Sequence, residues 1–154
     1  MNKLAQEAPQ SFRGRMFRPD SARPKEERIL VLKTGIAGLQ FHIKNEDERQ
    51  ALKELKPGAQ LLLFREPDNE YDEWAIAVHL TEDDKLGFIT RFKNETIARL
   101  MDAGKKFVCV VDDPEADEEA KKIVEKELRR NRKSATENMA LPFSVYLVEP
   151  VYNN

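Results

Sequence analysis

Two apolar runs separated by a polar loop lie near the centre of the chain. The run 59–64 is almost continuously apolar after the turn pair Pro57-Gly58, a pattern that predicts a strand buried on both faces. The run 75–80 alternates large apolar residues with smaller or polar ones, which predicts a strand with one face in a core. The loop between them, 66–72, contains a proline and turn-forming polar residues, so we expect it to be rigid.

The rest of the pattern predicts further strands and three helices. Branched residues over 29–36 predict a first strand, and extended chain resumes over 39–43 after a glycine-containing passage. Asn45 and Asn94 suit the N-cap and predict the starts of two short helices, the first ending at 57–58 and the second at Gly104. The other predicted elements are a strand over 86–89 in a hairpin with 75–80, strands over 106–111 and 142–148, and a polar, exposed helix over 115–132.

Together these elements predict a mainly β fold with helices (β+α), organised as one domain over 28–150. Residues 1–27 lack periodicity, which predicts a flexible, mildly basic arm, and 151–154 form a tail. Within the domain, 113–140 is predicted to be a charged helical insertion outside the core. Its acidic start and basic end complement the helix macrodipole, and its apolar stripe is sparse.

The charge balance limits the kinds of partner the protein can have. Its 154 residues are 40% hydrophobic and 35% charged, with a formal net charge of −2. A protein that coats nucleic acid by charge alone neutralises many phosphates at once, so this balance counts against that class. It leaves open a site that binds one end of a strand.

The single cysteine and the length of the apolar runs bear on the compartment. Cys109 cannot form an intrachain disulfide and lies in the apolar run 107–111, which predicts a buried core thiol. Every apolar run is much shorter than a membrane span, and the first residues lack an apolar signal core. We therefore expect a cytoplasmic protein with no membrane partner.

Three loop residues of different chemistry, Asn69, Tyr71 and Asp72, are candidates for a recognition site at the strand ends. Tyr71 lies in a polar loop, so packing in the core is a poor explanation for an aromatic residue at this position. A carboxylate repels phosphate, so Asp72 fits a site that accepts a hydrogen bond from a free 3′-hydroxyl and rejects a 3′-phosphate. The alternative for Asp72 is a loop carboxylate that caps neighbouring backbone N–H groups.

The same loop carries a family resemblance. Residues 65–78 follow the pattern R-E-P-D-N-x-Y-D-x-x-A-I-x-V, and 86–91 follow with L-G-F-I-x-R. Over 28–111 the chain resembles the HIRAN domain, a family known at the N-terminus of certain SWI/SNF-type DNA-repair translocases and as short stand-alone bacterial proteins. The resemblance implies a small, modified OB-like six-stranded barrel with two core helices and an extra polar helix. It also implies binding of single-stranded DNA by its 3′ end in DNA repair or replication-fork processing, with a helicase, translocase or nuclease as partner.

The resemblance further implies which residues contact DNA. Phe41 and His42 match positions used against the terminal bases, and Arg91 matches a position that meets phosphate. The nucleic-acid-binding residues expected on this basis are Gln40, Phe41, His42, Asp68, Asn69, Tyr71, Asp72, Phe88, Arg91 and Lys93. Two of them depart from the family pattern, because Gln40 replaces an arginine and His42 replaces a tyrosine. We expect these departures to weaken end binding or shift its preference. For the two phenylalanines, Phe41 and Phe88, packing in the core is an equal alternative.

Two other function classes stay open. One is a protein-interaction module on the same fold, with the charge-segregated segment 112–133 as its docking surface. The other is a metal-dependent nuclease that uses the loop carboxylates, although acidic residues alternating along a loop do not readily converge. The sequence has no recognisable nucleophile motif and no glycine-rich phosphate loop, and its two histidines are far apart. We therefore expect a non-enzymatic protein with no catalytic residue, no metal and no cofactor.

Overall fold

A single antiparallel sheet dominates the computed structural model, which describes residues 25–36, 45–130 and 140–151. Within these ranges the sheet has six strands in the order β1-β6-β5-β2-β3-β4. The strands are β1 (Lys25–Gly35), β2 (Gln60–Arg65), β3 (Ile76–His79), β4 (Lys85–Phe88), β5 (Lys106–Val111) and β6 (Pro142–Val151). The helices are α1 (Glu46–Lys53), α2 (Glu95–Asp102) and α3 (Glu118–Arg130). This architecture confirms the predicted β+α fold.

The core lies where the central strands face the helices. Its largest fully buried apolar side chains are Phe143, Ile76, Ile89, Val78 and Val145. β6 joins two parts of the sheet, since it pairs with both β1 and β5. The core therefore combines the C-terminal strand with the strands that flank the polar loop, and it fixes both ends of that loop.

Local sequence signals set the helix ends. The side chain of Asn45 accepts a hydrogen bond from the backbone N–H of Glu48 (2.8 Å), which confirms the predicted N-cap of α1. At the end of α2, Gly104 has φ 95°, and the N–H groups of Gly104 and Lys105 donate to carbonyls of the last turn, each at 2.9 Å. These two bonds form a Schellman motif and confirm the predicted glycine stop.

Three predicted features of the elements are wrong. β2 is not buried on both faces: Leu61 is buried, but Leu62 and Phe64 are 39% and 40% exposed, because an antiparallel sheet can leave one face to solvent. β1 begins at Lys25, ahead of the predicted start, so residues 25–27 belong to the sheet. α1 ends at Lys53, before the predicted stop at 57–58.

Helix α3 is attached to the sheet more closely than an exposed insertion would be. Ala120 is fully buried, and Lys33 Nζ on β1 lies 2.6 Å from Asp117 Oδ2 and 3.3 Å from Asp112 Oδ2. Ser144 on β6 accepts from the same Nζ at 3.0 Å. Burial alone would lower the pKa of Lys33, but the hydrogen bond with Asp117 and the charge of Asp112 outweigh it and raise that pKa. The start of α3 is thus bonded to the sheet, while most of the helix is exposed and lies outside the core cluster, as predicted.

The expectation for the thiol is confirmed. Cys109 is fully buried in β5, and burial raises the pKa of its thiol. An apolar thiol of this kind packs as a small hydrophobic side chain. Across the described parts of the chain, no helix has both the length and the apolar character that crossing a membrane requires.

Candidate nucleic-acid interface

The polar loop 66–75 connects two paired strands and is closed at its base. β2 and β3 pair in antiparallel register up to the partners at 65 and 76. The N–H of Glu66 then donates to the carbonyl of Ala75 at 3.0 Å. Inside the loop, the N–H of Asn69 donates to Glu66 O (3.0 Å) and that of Ala75 to Asp72 O (3.1 Å). The loop therefore has a defined backbone path, as predicted from its proline and turn residues.

Asn69 organises the centre of this loop. Its Oδ1 accepts from the backbone N–H of Tyr71 (2.9 Å) and of Asp72 (3.1 Å). Its Nδ2 donates to Glu66 Oε1 at 3.1 Å. An asparagine that bonds to backbone two residues ahead forms an Asx-turn. In this structure Asn69 therefore positions the backbone of Tyr71 and Asp72.

Asp72 is held by two donors. Its Oδ1 accepts from the backbone N–H of Trp74 (2.9 Å), which is the arrangement of the capping alternative. Its Oδ2 accepts from Asn94 Nδ2 (2.7 Å). The carboxylate is partly buried, so both bonds fix its orientation. An ionised carboxylate offers about four acceptor sites, so two donors leave capacity for another.

Asn94 has a different role from the one predicted. It is 1% exposed and makes no side-chain cap bond to α2, and its Nδ2 donates to Asp72. Its backbone is helical (φ −96°, ψ −23°), whereas an N-cap residue that bonds the next turn is extended. The sequence signal was read as a cap, and the asparagine is instead the buried anchor of the loop.

Arg65 braces the base of the loop from the strand side. Its Nε and Nη2 donate to the two carboxylate oxygens of Asp102 at 2.9 and 3.1 Å, a bidentate pair. The same guanidinium donates to the carbonyls of Ala75 (2.7 Å) and Glu73 (3.1 Å). The hydrogen bond from Arg65 lowers the pKa of the Asp102 carboxyl. Sequence reasoning used Arg65 only as part of a motif and did not identify this contact.

A second ion pair lies between the loop and β4. Lys85 Nζ is 2.5 Å from Glu66 Oε2 and 4.9 Å from the centre of the Phe88 ring. Burial raises the pKa of Glu66, but the hydrogen bonds from Lys85 and Asn69 outweigh burial and lower it. Phe88 is half-buried on β4, opposite Ala77. It is therefore neither a core residue nor a free surface ring.

The exposed residues define the open side of this region. Tyr71 is 81% exposed, and Asp68 is exposed beside it in the loop. After β4, a turn closed by the bond from Lys93 N–H to Thr90 O (3.0 Å) presents Arg91, Phe92 and Lys93 to solvent. Phe92 is 88% exposed and is not among the residues predicted from the sequence, although, like Tyr71, it lies in a polar segment.

The hydrogen bond between Asp72 and Asn94 brings the loop and the turn 90–93 together on one edge. The predicted residues on that edge are Asp68, Asn69, Tyr71, Asp72, Arg91 and Lys93, with Phe88 on the strand between them. Gln40, Phe41 and His42 lie outside the described residues, and their roles stay predictions. Among the residues that the structure describes, no three His, Cys, Asp or Glu side chains are placed to hold a metal ion.

The fold described above occurs in a family of DNA-binding modules. The model of the HIRAN domain family matches residues 29–134, more than half of the chain, so the chain belongs to this family. HIRAN domains are generally DNA-binding modules with an OB-like fold. The resemblance predicted from the loop motif is confirmed.

Two solved structures are similar to the chain. A crystal structure of a protein from Lactobacillus plantarum aligns with a TM-score of 0.56 at 24% identity, covering 81% of this chain and 99% of that one. The crystal structure of the HIRAN domain of human HLTF aligns with a TM-score of 0.52 at 17% identity, covering 80% of each chain. At these identities both comparisons support the fold alone. No curated protein matches the chain.

Proposed function

We propose that this protein is a non-enzymatic module that binds single-stranded DNA and recognises its free 3′-hydroxyl end. The observation that carries the proposal is an exposed Tyr71 ring next to an Asp72 carboxylate held in one orientation by Trp74 and Asn94. Such a module would act in DNA repair or at replication forks, where a helicase, translocase or nuclease works on the captured end.

The carboxylate supplies discrimination between DNA ends. A hydroxyl group can donate to Asp72, whereas a terminal phosphate brings only acceptors and negative charge. Because Asp72 is already oriented by two donors, little order has to be created when the hydroxyl arrives. Rejection of the phosphorylated end is therefore a direct consequence of the residue type at position 72.

The charges of the loop and of the turn 90–93 determine the direction of the bound DNA strand. The acidic residues of the loop are Glu66, Asp68, Glu70, Asp72 and Glu73. The turn that follows β4 carries the exposed cations Arg91 and Lys93. Phosphates are attracted to the turn and repelled by the loop, so the hydroxyl end faces the loop while the chain continues past the turn.

Tyr71 supplies affinity without sequence preference. Stacking of a base on an aromatic ring contributes about 1–3 kcal/mol and tolerates every base, since each has a π-face. The ring is 81% exposed, so it contributes little to the core. We expect Tyr71→Ala to weaken binding at least about fivefold, Tyr71→Phe to bind as the wild type does, and neither to alter stability.

Fluorescence anisotropy with two oligonucleotides tests the proposal. The two share one sequence and a 5′ fluorophore and differ only in ending with a 3′-hydroxyl or a 3′-phosphate. The wild type is expected to bind the hydroxyl end more tightly. Equal affinity for the two ends would contradict the proposed function.

A matched pair of charge-removing variants locates the discrimination. Asp72→Asn is expected to lose most of the preference, because the amide no longer repels phosphate, while Oδ1 can still accept from Trp74. Glu70→Gln removes the same charge from an exposed neighbour in the loop and is expected to keep the preference. If both variants change the preference equally, general charge and not Asp72 is responsible.

A further inference from the structure

Phe92 is an exposed aromatic ring to which nothing above assigns a role. It is 88% exposed, more than any other large hydrophobic side chain in the described parts of the protein. Single exposed hydrophobic residues are ordinary on protein surfaces, so exposure alone carries no conclusion. Its setting is what distinguishes it.

The first part of that setting is the turn. The hydrogen bond from Lys93 N–H to Thr90 O (3.0 Å) makes Arg91 and Phe92 the two central residues of a four-residue turn. Arg91 and Lys93, which precede and follow Phe92 in the sequence, are both exposed. An aromatic face between two cations is the combination that single-stranded nucleic acid uses, with the base on the ring and phosphates on the charges.

The second part is the position of the turn beside the loop. Phe92 is two residues before Asn94, whose amide donates to Asp72 at 2.7 Å, and Tyr71 is the residue before Asp72. Phe92 is therefore two Cα–Cα steps from Asn94, and Tyr71 is one step from Asp72, with about 3.8 Å for each step. The two exposed rings belong to one edge.

We propose that Phe92 is a second stacking residue, which binds a base on the 5′ side of the terminal nucleotide while Arg91 and Lys93 bind the adjoining phosphates. This inference rests on the proposed function, since the direction of the strand comes from the hydroxyl end at Asp72. The site would then hold several nucleotides of an unpaired strand rather than its last one alone.

Two thymidylate ligands of different length test this: a single nucleotide and a strand of ten, each with a free 3′-hydroxyl and a 5′ fluorophore. Phe92→Ala is expected to weaken binding of the ten-nucleotide strand at least about fivefold. Binding of the single nucleotide should stay nearly unchanged, because that ligand has no base on the 5′ side of its 3′ end. Tyr71→Ala is expected to weaken both. Phe92→Trp keeps an aromatic face and is expected to restore binding of the long strand.

Leu128→Ala is the matched control, because Leu128 is an exposed hydrophobic residue on α3 (37% exposed). It is expected to bind both ligands normally. Replacing Arg91 and Lys93 by glutamine is expected to reduce the slope of log affinity against log salt by about 0.7 for each phosphate contact removed. Urea unfolding of every variant checks that the fold is retained.

The outcomes separate this inference from the proposed function. If the wild type prefers the hydroxyl end but Phe92→Ala binds both lengths normally, the Phe92 contact is wrong and the end recognition stands. An equal loss in the Leu128 control also overturns it. If the wild type shows no end preference while Phe92→Ala still loses the long strand, the stacking contact stands and the end recognition fails.

Discussion

Replacing Asn94 by aspartate tests whether the loop is anchored as the structure shows. Asn94→Asp keeps the size of the side chain but places two carboxylates where an amide now donates to a carboxylate over 2.7 Å. Position 94 is 1% exposed, so water cannot separate the two charges. We expect this change to be strongly destabilising at neutral pH.

Two contributions set the size of the effect. A hydrogen bond to a charged group contributes about 1.5–3 kcal/mol, and this bond is lost. Two like charges about 4 Å apart repel by about 4 kcal/mol at the effective dielectric of a partly buried site. Sharing of a proton between the carboxyl groups relieves part of this, so we expect a net loss of about 3–4 kcal/mol at pH 7.

The loss should depend on pH in a defined direction. The new carboxyl group has an ordinary unfolded pKa of about 3.9, and its neighbour raises that pKa in the folded state. Because the carboxyl pKa is higher in the folded state, the carboxyl lowers the free energy of unfolding only at pH values above its unfolded pKa. Near pH 4 a protonated Asp at position 94 can donate to Asp72 as the amide does, so the difference from the wild type should be small there.

Urea unfolding at pH 4 and pH 7.5 measures this loss. The transition is followed by the fluorescence of Trp74, which is the only tryptophan and belongs to the loop. The control is the exchange Asp72→Asn with Asn94→Asp, which restores one amide and one carboxylate to the pair. We expect the exchange to recover more than half of the loss at pH 7.5. A loss that is equal at both pH values, with no recovery in the exchange, would show that the two side chains do not interact as described.

Three further predictions concern stability and use urea unfolding. Lys85→Met removes the cation that helps lower the pKa of Glu66, so it should reduce the free energy of unfolding at pH 7. The reduction should become smaller as the pH falls below 4.5, the ordinary pKa of that carboxyl, and a reduction that does not change with pH would contradict this. Gly104→Ala meets no atom within 4 Å but must adopt φ 95°, so we expect a loss of about 1–2 kcal/mol, and no loss would show that the helix end had rearranged. Phe143→Ala empties a fully buried site and should cost about 3–5 kcal/mol, whereas a cost under about 1 kcal/mol would place the ring outside the core.

The parts of the fold that could be predicted are those specified by neighbouring residues. The cap at Asn45 acts over three residues and the stop at Gly104 over a few more, so both are visible in the sequence. The loop motif likewise lies within one short segment. Tyr71 was expected to be exposed because nothing apolar surrounds it in the sequence, and it is.

The parts that could not be predicted depend on residues distant in the chain. The partner of Asp72 is 22 residues away, and that of Arg65 is 37 residues away. Lys33 meets Asp117 across 84 residues, and this bond between the start of α3 and the sheet is not visible in the sequence. The pattern of neighbouring residues does not reveal such pairs, since each partner is also a residue type that suits a local role, such as a helix cap. Asn94 was assigned as a cap for that reason.

The loop 66–75 carries its own internal hydrogen bonds, because the backbone closure at its base and the Asx-turn at Asn69 both lie within the segment. Transplanted onto another antiparallel hairpin, the ten residues would retain those bonds. They would lack the contacts made from outside the segment. These are the hydrogen bond from Asn94 that orients Asp72, those from Arg65 to the carbonyls of Glu73 and Ala75, and the ion pair of Glu66 with Lys85. Two grafts of the loop, one with a donor in place of Asn94 and one without it, would show how far the DNA affinity of the segment depends on that one neighbouring side chain.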